Sequence, residues 1–155
     1  QGLLSGRYQI ILAPAQEHVS YMHAIDVFSE HQNLYCGRGS PLFDMPDDPR
    51  TDYLLADQPF AGRSYMQEGK LCGIAFRWAA VTSHMEGTML LLLSGAYIGF
   101  LPTHYAKEAV RDGRLRILAP GRVEFDDQFR IVYSREKSNR AAKLLAASIV
   151  SKHQR

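Results

Sequence analysis

The chain has 155 residues, of which 46% are hydrophobic and 22% charged, the balance of a folded globular protein and not of a disordered or low-complexity segment. Its formal net charge is only +2 and its basic residues are scattered, which excludes the concentrated basic face that phosphate recognition needs. The longest apolar run, Met89–Leu93, is far below the roughly 18 residues of a membrane span. The length suits one ordinary domain or two small lobes.

Taken in order, Tyr8, Ile10 and Leu12 alternate with Gln9 and Ile11 in a short strand, nearly apolar on both faces. Such a strand is expected inside a sheet covered on two sides. Pro14 stops it and leaves Ala13-Pro14 at a carboxyl end, where open α/β sheets place ligands. Ile25 with Val27, and Leu34–Cys36, mark two extended pieces separated by Ser29–Asn33. Residues 37–41 are a turn by composition, and Asp44–Asp57 is a surface loop with one helical turn at Tyr53–Ala56.

Phe60 and Ala61 form a short buried strand that runs into Gly62, Arg63 and Ser64. A strand ending in Gly-Arg-Ser can gather a guanidinium fork, a hydroxyl and free N–H groups at one place, a suitable trap for a carboxylate. The same arginine also reads as a solvated loop residue, and the sequence leaves both open. Gly73–Val81 is a strand with Ile74, Phe76 and Trp78 on one face. Thr82 and Ser83 are N-cap candidates for a helix over His84–Ser94, whose apolar stripe is Met85, Met89, Leu92 and Leu93. Gly87 within it signals close helix–sheet packing. Gly95 ends the helix, Tyr97–Leu101 is a buried strand, and Pro102 opens a helix over Thr103–Asp112 that Gly113 terminates. Leu115–Leu118 and Phe129–Tyr133 are strands. A last helix, capped by Ser138, carries Ala141, Leu144, Leu145 and Ile149 on one face. Helix, glycine stop, strand and helix in succession are the signature of a layered α/β domain.

Catalytic and metal signals are absent. No two of the six histidines stand at HxxxH or HExxH spacing, and there is no GxGxxG, P-loop or GxSxG. Cys36 and Cys72 form no CxxC pair and read as two reduced thiols in preference to a disulfide. The cluster Asp47, Asp48 and Asp52 reads as a solvated loop. From the residues alone, then, no catalytic residue, metal ligand or cofactor is assigned. The chain is a ligand-binding α/β domain, with a Cys–His enzyme kept only as a distant reading.

Several segments together resemble the effector-binding domain of LysR-type transcriptional regulators. Ser94–Leu118, SGAYIGFLPTHYAKEAVRDGRLRIL, is similar to that family's G-x-G-(I/V)-(A/G)-x-L-P stretch, its helix and its G-x-L-x-x-L, with Tyr97 where the second glycine is usual. Leu34–Phe43 resembles the strand leading into His-Pro-Leu, with Ser40 in place of the histidine, and Leu55–Phe60 matches Leu-Ala-x-x-Pro-Phe without departure. Leu3–Leu12 looks like the family's opening segment, while Phe129–Tyr133 and the last helix fit its ending.

The resemblance implies an α/β fold of the type 2 periplasmic-binding-protein kind: two Rossmann-like lobes joined by two crossing strands, near Gln32–Cys36 and Gln128–Tyr133. It divides the chain into a first lobe of residues 1–34 and 131–155, incomplete at its start, and a second lobe of residues 35–130. By the same resemblance, an inter-lobe cleft would be lined by Ala13, Pro14, Gly62, Arg63, Ser64, Thr82, Ser83, Phe100 and Pro102, with Arg63 on an anionic group of a small metabolite. It further implies a cytoplasmic regulator with no membrane contact, a homodimer or tetramer when complete. DNA binding would lie in a helix-turn-helix that precedes Gln1, and effector binding by this chain alone would be weakened. A solute-binding protein of a transporter, with the same fold, is the second reading.

Overall fold

The computed structural model describes residues 2–3, 5–14, 22–66, 69–134 and 139–153. Its strands are β1 (Ile10–Pro14), β2 (Met22–Gly37), β3 (Pro59–Arg63), β4 (Lys70–Leu71), β5 (Ile74–Ala75), β6 (Arg77–Thr82), β7 (Ile98–Pro102), β8 (Leu115–Leu118) and β9 (Glu124–Ser134). The helices are α1 (Leu54–Asp57), α2 (Met85–Leu93), α3 (Thr103–Arg111) and α4 (Arg140–His153), with a 3-10 turn at Pro49–Thr51. The chain divides into two compact units, residues 1–30 with 126–155, and residues 31–125.

In the unit of residues 31–125, β3 lies between β7 and β6 and runs parallel to both, with Phe60 opposite Ile98 and Arg63 opposite Thr82. The second half of β2 pairs antiparallel with β7 along one edge and with β8 along the other, so Leu34 faces both Phe100 and Leu118. Residues 32–37, of which Leu34–Cys36 are paired on both edges, are buried without alternation, as expected of a strand covered on two faces. Phe60 stacks on Phe76 at 4.6 Å and meets Trp78 and Phe100 edge-on, with Leu34, Ile98 and Leu118 filling the same side. The other side holds Tyr35, Ala61, Leu92, Leu101, Ala106, Ala109 and Leu115, gathering apolar residues of the sheet, α2 and α3. Gly95 and Gly113 end these helices at φ +76° and +65°, the left-handed region that a side chain resists.

Four local expectations need correction here. Ile25–Cys36 is one continuous strand, because its second half gains partners on both edges and tolerates Gln32 and Asn33 inside. The strand expected over residues 73–81 is broken at Phe76, and its first part pairs back on Lys70–Leu71 as a hairpin. Cys72 (φ 51°) and Gly73 (φ 81°) make the two-residue turn, both in the left-handed conformation that tight hairpins favour. The N-cap of α2 is His84, with no side-chain cap bond. Thr82 ends β6 instead, and its hydroxyl is committed to Thr88 Oγ1 at 2.7 Å. Gly87 does pack closely, since a Cβ there would stand 3.3 Å from Thr82. Finally, the acidic loop is tethered: Arg122 bridges Asp47 and Asp52.

In the unit of residues 1–30 and 126–155, β1 pairs antiparallel with β9 from Ile10↔Tyr133 to Pro14↔Phe129, and β9 lies next to β2. Arg130 pairs with Asp26, and Ser29 donates to Gln128 Oε1 at 2.7 Å. Val27, Ile131 and Ala146 form the core, flanked by Ile10, Phe28, Tyr133, Ile149 and Val150. Two expectations differ. Among the described residues β1 pairs with β9 alone and is only half-buried, with Leu12 49% exposed. The face α4 buries is Ala142, Ala146, Ile149 and Val150, while Leu144 and Leu145 stay exposed. Small alanines let the helix come close to the sheet, so they sit inward and the leucines do not. Ser138 lies outside the described residues; Asn139 Oδ1 accepts from the Ala142 N–H at 2.9 Å.

Candidate functional site

The parallel strands β3, β6 and β7 end together in Arg63, Thr82 and Pro102, and the carboxyl ends of parallel strands are where α/β sheets bind ligands. Two helices begin there. The first turns of α2, after His84, and of α3, after Pro102, have no side-chain cap, so each presents backbone N–H groups and the positive end of its dipole.

Arg63 is 4% exposed and is the one buried charged side chain among the described residues. Its Nη2 donates to Gln32 Oε1 at 2.8 Å, and its guanidinium lies over the Tyr65 ring at 5.0 Å. Its Nε–H has no hydrogen-bond partner among the described residues. Among the described residues no carboxylate pairs with it; the partners there are a neutral amide and an aromatic face. A cation held in that way is costly, because burial removes its hydration and nothing of opposite sign replaces it. The solvated-loop reading of Arg63 is thereby removed.

The remaining positions read from the sequence fall as follows. Gly62 sits in β3 against Trp78, whose ring would be 1.9 Å from a Cβ placed there; the close approach at this glycine is an indole. Ser64 is exposed, and its N–H is spent on the Thr82 carbonyl at 2.9 Å, so it is not among the free donors once expected. Thr82 is half-buried and bonded to Thr88, and Ser83 is exposed just ahead of α2. Pro102 is fully buried at the start of α3. Phe100 packs among Phe60, Phe76 and Phe125 in the aromatic core and belongs to that cluster. Ala13 and Pro14 end β1 in the other unit, paired with Arg130 and Phe129.

Sequence reasoning did not pick out Gln32, Asn33 and Thr103. Gln32 is completely buried against Arg63. Asn33 Nδ2 donates to Thr103 Oγ1 at 2.9 Å, and Thr103 Oγ1 donates to the His31 carbonyl at 3.0 Å, which fixes the start of α3 to β2. Burial raises the Tyr35 hydroxyl above its usual range, opposed by hydrogen bonds from Thr103 and Asn33. The sequence offered little signal, since the two amides close the polar stretch Ser29–Asn33 just before Leu34–Cys36.

A shallow concavity lies in the same unit under the acidic loop, with Leu42, Met45, Leu55 and Leu118 in its wall. Its polar groups already have partners: Arg116 donates to the Leu42 and Phe43 carbonyls, and Asp47 and Asp52 are on Arg122. The Arg122 guanidinium holds the Asp47 carboxyl below its usual range. Cys36 and Cys72 form no disulfide; burial pushes the Cys36 thiol up to about 11, which disfavours the thiolate. Among the described residues no cluster of His, Cys, Asp and Glu could hold a metal ion, and no helix is long and apolar enough to cross a membrane.

Comparison with known proteins adds the lineage. The family profile described as LysR substrate binding domain matches residues 1–154. The HTH-type transcriptional activator BauR of Pseudomonas aeruginosa is 33% identical over 126 residues, which is 80% of this chain and 41% of that protein. The chain therefore spans less than half the length of the curated relative it matches. Among solved structures, the bromide-bound regulatory domain of HypT from Salmonella typhimurium superposes with a TM-score of 0.74 at 18% identity, covering 99% of this chain and 76% of that one. The regulatory domain of CrgA, a LysR-type regulator from Neisseria meningitidis, gives 0.73 at 17% identity, covering 98% of this chain and 78% of that one.

Proposed function

The chain belongs to the LysR substrate-binding domain family, and we propose that it senses a small anionic metabolite on behalf of a cytoplasmic transcriptional regulator. The observation that carries this reading is the buried Arg63 guanidinium, which the described residues leave without a counter-charge and with an unpartnered Nε–H. An incoming carboxylate or similar anion supplies both, and the uncapped starts of α2 and α3 lie at the same strand ends. HypT, whose regulatory domain shares this fold, has been solved with bromide, which is consistent with anion binding by such a domain. DNA contact is assigned to a helix-turn-helix segment outside this chain, and the complete regulator to a homo-oligomer. Ligand occupancy then selects between two states of the sensing domain. The matched proteins are regulators, so the transporter reading is not favoured.

A thermal-shift screen of small carboxylates, phosphates and neutral metabolites tests it, on the wild type and on Arg63→Met. At least one anionic compound should raise the wild-type Tm, and its apparent affinity should fall by about tenfold or more in the variant. Hits confined to neutral compounds, or hits unchanged by the substitution, would remove Arg63 from the site.

A further inference from the structure

Arg63 is held by Gln32, and the chemistry of that partner is informative. Burial demands a partner for the guanidinium, and the acid that usually fills this role, Glu, is the near-isostere of Gln. A glutamate at position 32 would place a carboxylate oxygen where Oε1 now stands, 2.8 Å from Nη2, and would neutralise the arginine from within the chain. Glutamine gives the hydrogen bond without the charge. The guanidinium is therefore fixed in place, over Tyr65 and against β2, while its full positive charge is kept for something else.

The charge count narrows what that is. Arg63 is the one buried cation among the described residues; of the other polar side chains at the strand ends, Thr82 and Thr88 are neutral and bonded to each other, while Ser64, Ser83, His84, Thr103 and His104 are exposed. A single negative charge balances such a place. A second one would enter a desolvated region where only the two helix starts, and no second cationic side chain, could meet it.

We infer that Gln32 is a positioning and specificity-determining residue, which keeps Arg63 un-neutralised so that this site selects a monoanion, a monocarboxylate group in particular, over a dianion such as phosphate. The inference rests on the assignment of Arg63 to the ligand site and adds the ligand class and the residue that sets it.

The test uses the full chain in two parts, at fixed ionic strength and pH 8.5, where phosphate is almost wholly the dianion. In the first, sodium acetate and sodium phosphate are titrated into the wild type, and the arginine Nε–H resonances are followed by NMR together with Tm. Acetate should move one slowly exchanging Nε–H resonance, the one missing from the spectrum of Arg63→Met, and should raise Tm; phosphate should act at least about tenfold more weakly. In the second part Gln32→Glu is compared with the wild type. Without added anion the variant should melt higher, and acetate should neither stabilise it nor move its Nε–H signal. Equal or stronger action by phosphate on the wild type overturns the ligand class, and needs no variant to show it. A Gln32→Glu chain that acetate stabilises as much as the wild type overturns the role of Gln32. A wild type indifferent to both anions, with its Arg63 Nε–H unmoved, overturns the anion site itself and this inference with it.

Discussion

Two arginines in the unit of residues 31–125 meet opposite fates. Arg122 reaches from the loop before β9 to Asp47 and Asp52, and donates to both carboxylates. Arg63, at the end of β3, is far more deeply buried and is met by an amide and an aromatic ring. The chain supplies counter-charges where the arginine only has to tie two loops together. Among the described residues none lies beside Arg63, where desolvation makes a counter-charge most valuable. That contrast is the ground for proposing that Arg63 meets an anion from outside the chain.

The comparison can be broken most severely from the Gln32 side. Gln32→Leu strips the hydrogen bond from a buried cation, and should cost about 3 kcal/mol in urea unfolding. Arg63→Met removes the charge together with its demand for a partner, and should change stability by less than about 1 kcal/mol in either direction. The double variant, Gln32→Leu with Arg63→Met, should recover most of the first loss, since replacing both partners of a buried polar pair by apolar groups is nearly neutral. Additive losses in this cycle would mean that the two side chains do not act as a pair. Arg122→Ala should give a smaller loss that shrinks as salt is raised, because its ion pairs are partly exposed. Matching denaturation curves at low and high salt separate this behaviour from that of Arg63.

The smallest effect concerns pH. Arg122 lowers the Asp47 carboxyl below its ordinary value of 3.8. A depressed carboxyl contributes stability that is fully present above the unfolded-state value and is lost as the pH falls through the folded one. The tether of the acidic loop should therefore hold through neutral and mildly acidic pH and weaken below about pH 4, seen as smaller amide protection factors in residues 47–52. Asp47→Asn should remove that pH dependence. Protection factors that stay pH-independent in the wild type would detach the loop from Arg122.

The order of elements from α2 to β8 was legible in the chain, because each boundary there is local. Glycines at positions 95 and 113 end helices by adopting left-handed backbone, and Pro102 stands where a strand becomes a helix. Gly-Arg-Ser could be read as an anion trap for a comparably local reason, a guanidinium at a strand end. Periodicity served less well where partners decided burial. Leu144 and Leu145 look like a helix's inward face, yet the alanines at positions 142 and 146 are the buried ones, since close approach to a sheet rewards small side chains. The two-sided cover expected for β1 failed because an apolar strand does not by itself specify how many neighbours it will have.

What the sequence determined by itself is most of the inventory: the helices, the strands β3, β7 and β8 with their stops, and one arginine at the end of a buried strand. What the tertiary structure decided is the state of that arginine. Gln32 lies 31 residues away along the chain from Arg63, and the two meet only because β7 brings β2 and β3 into one sheet. Whether a guanidinium is solvated, paired or left charged in the interior depends on the dielectric and partners around it, and those are set by contacts between segments remote in sequence.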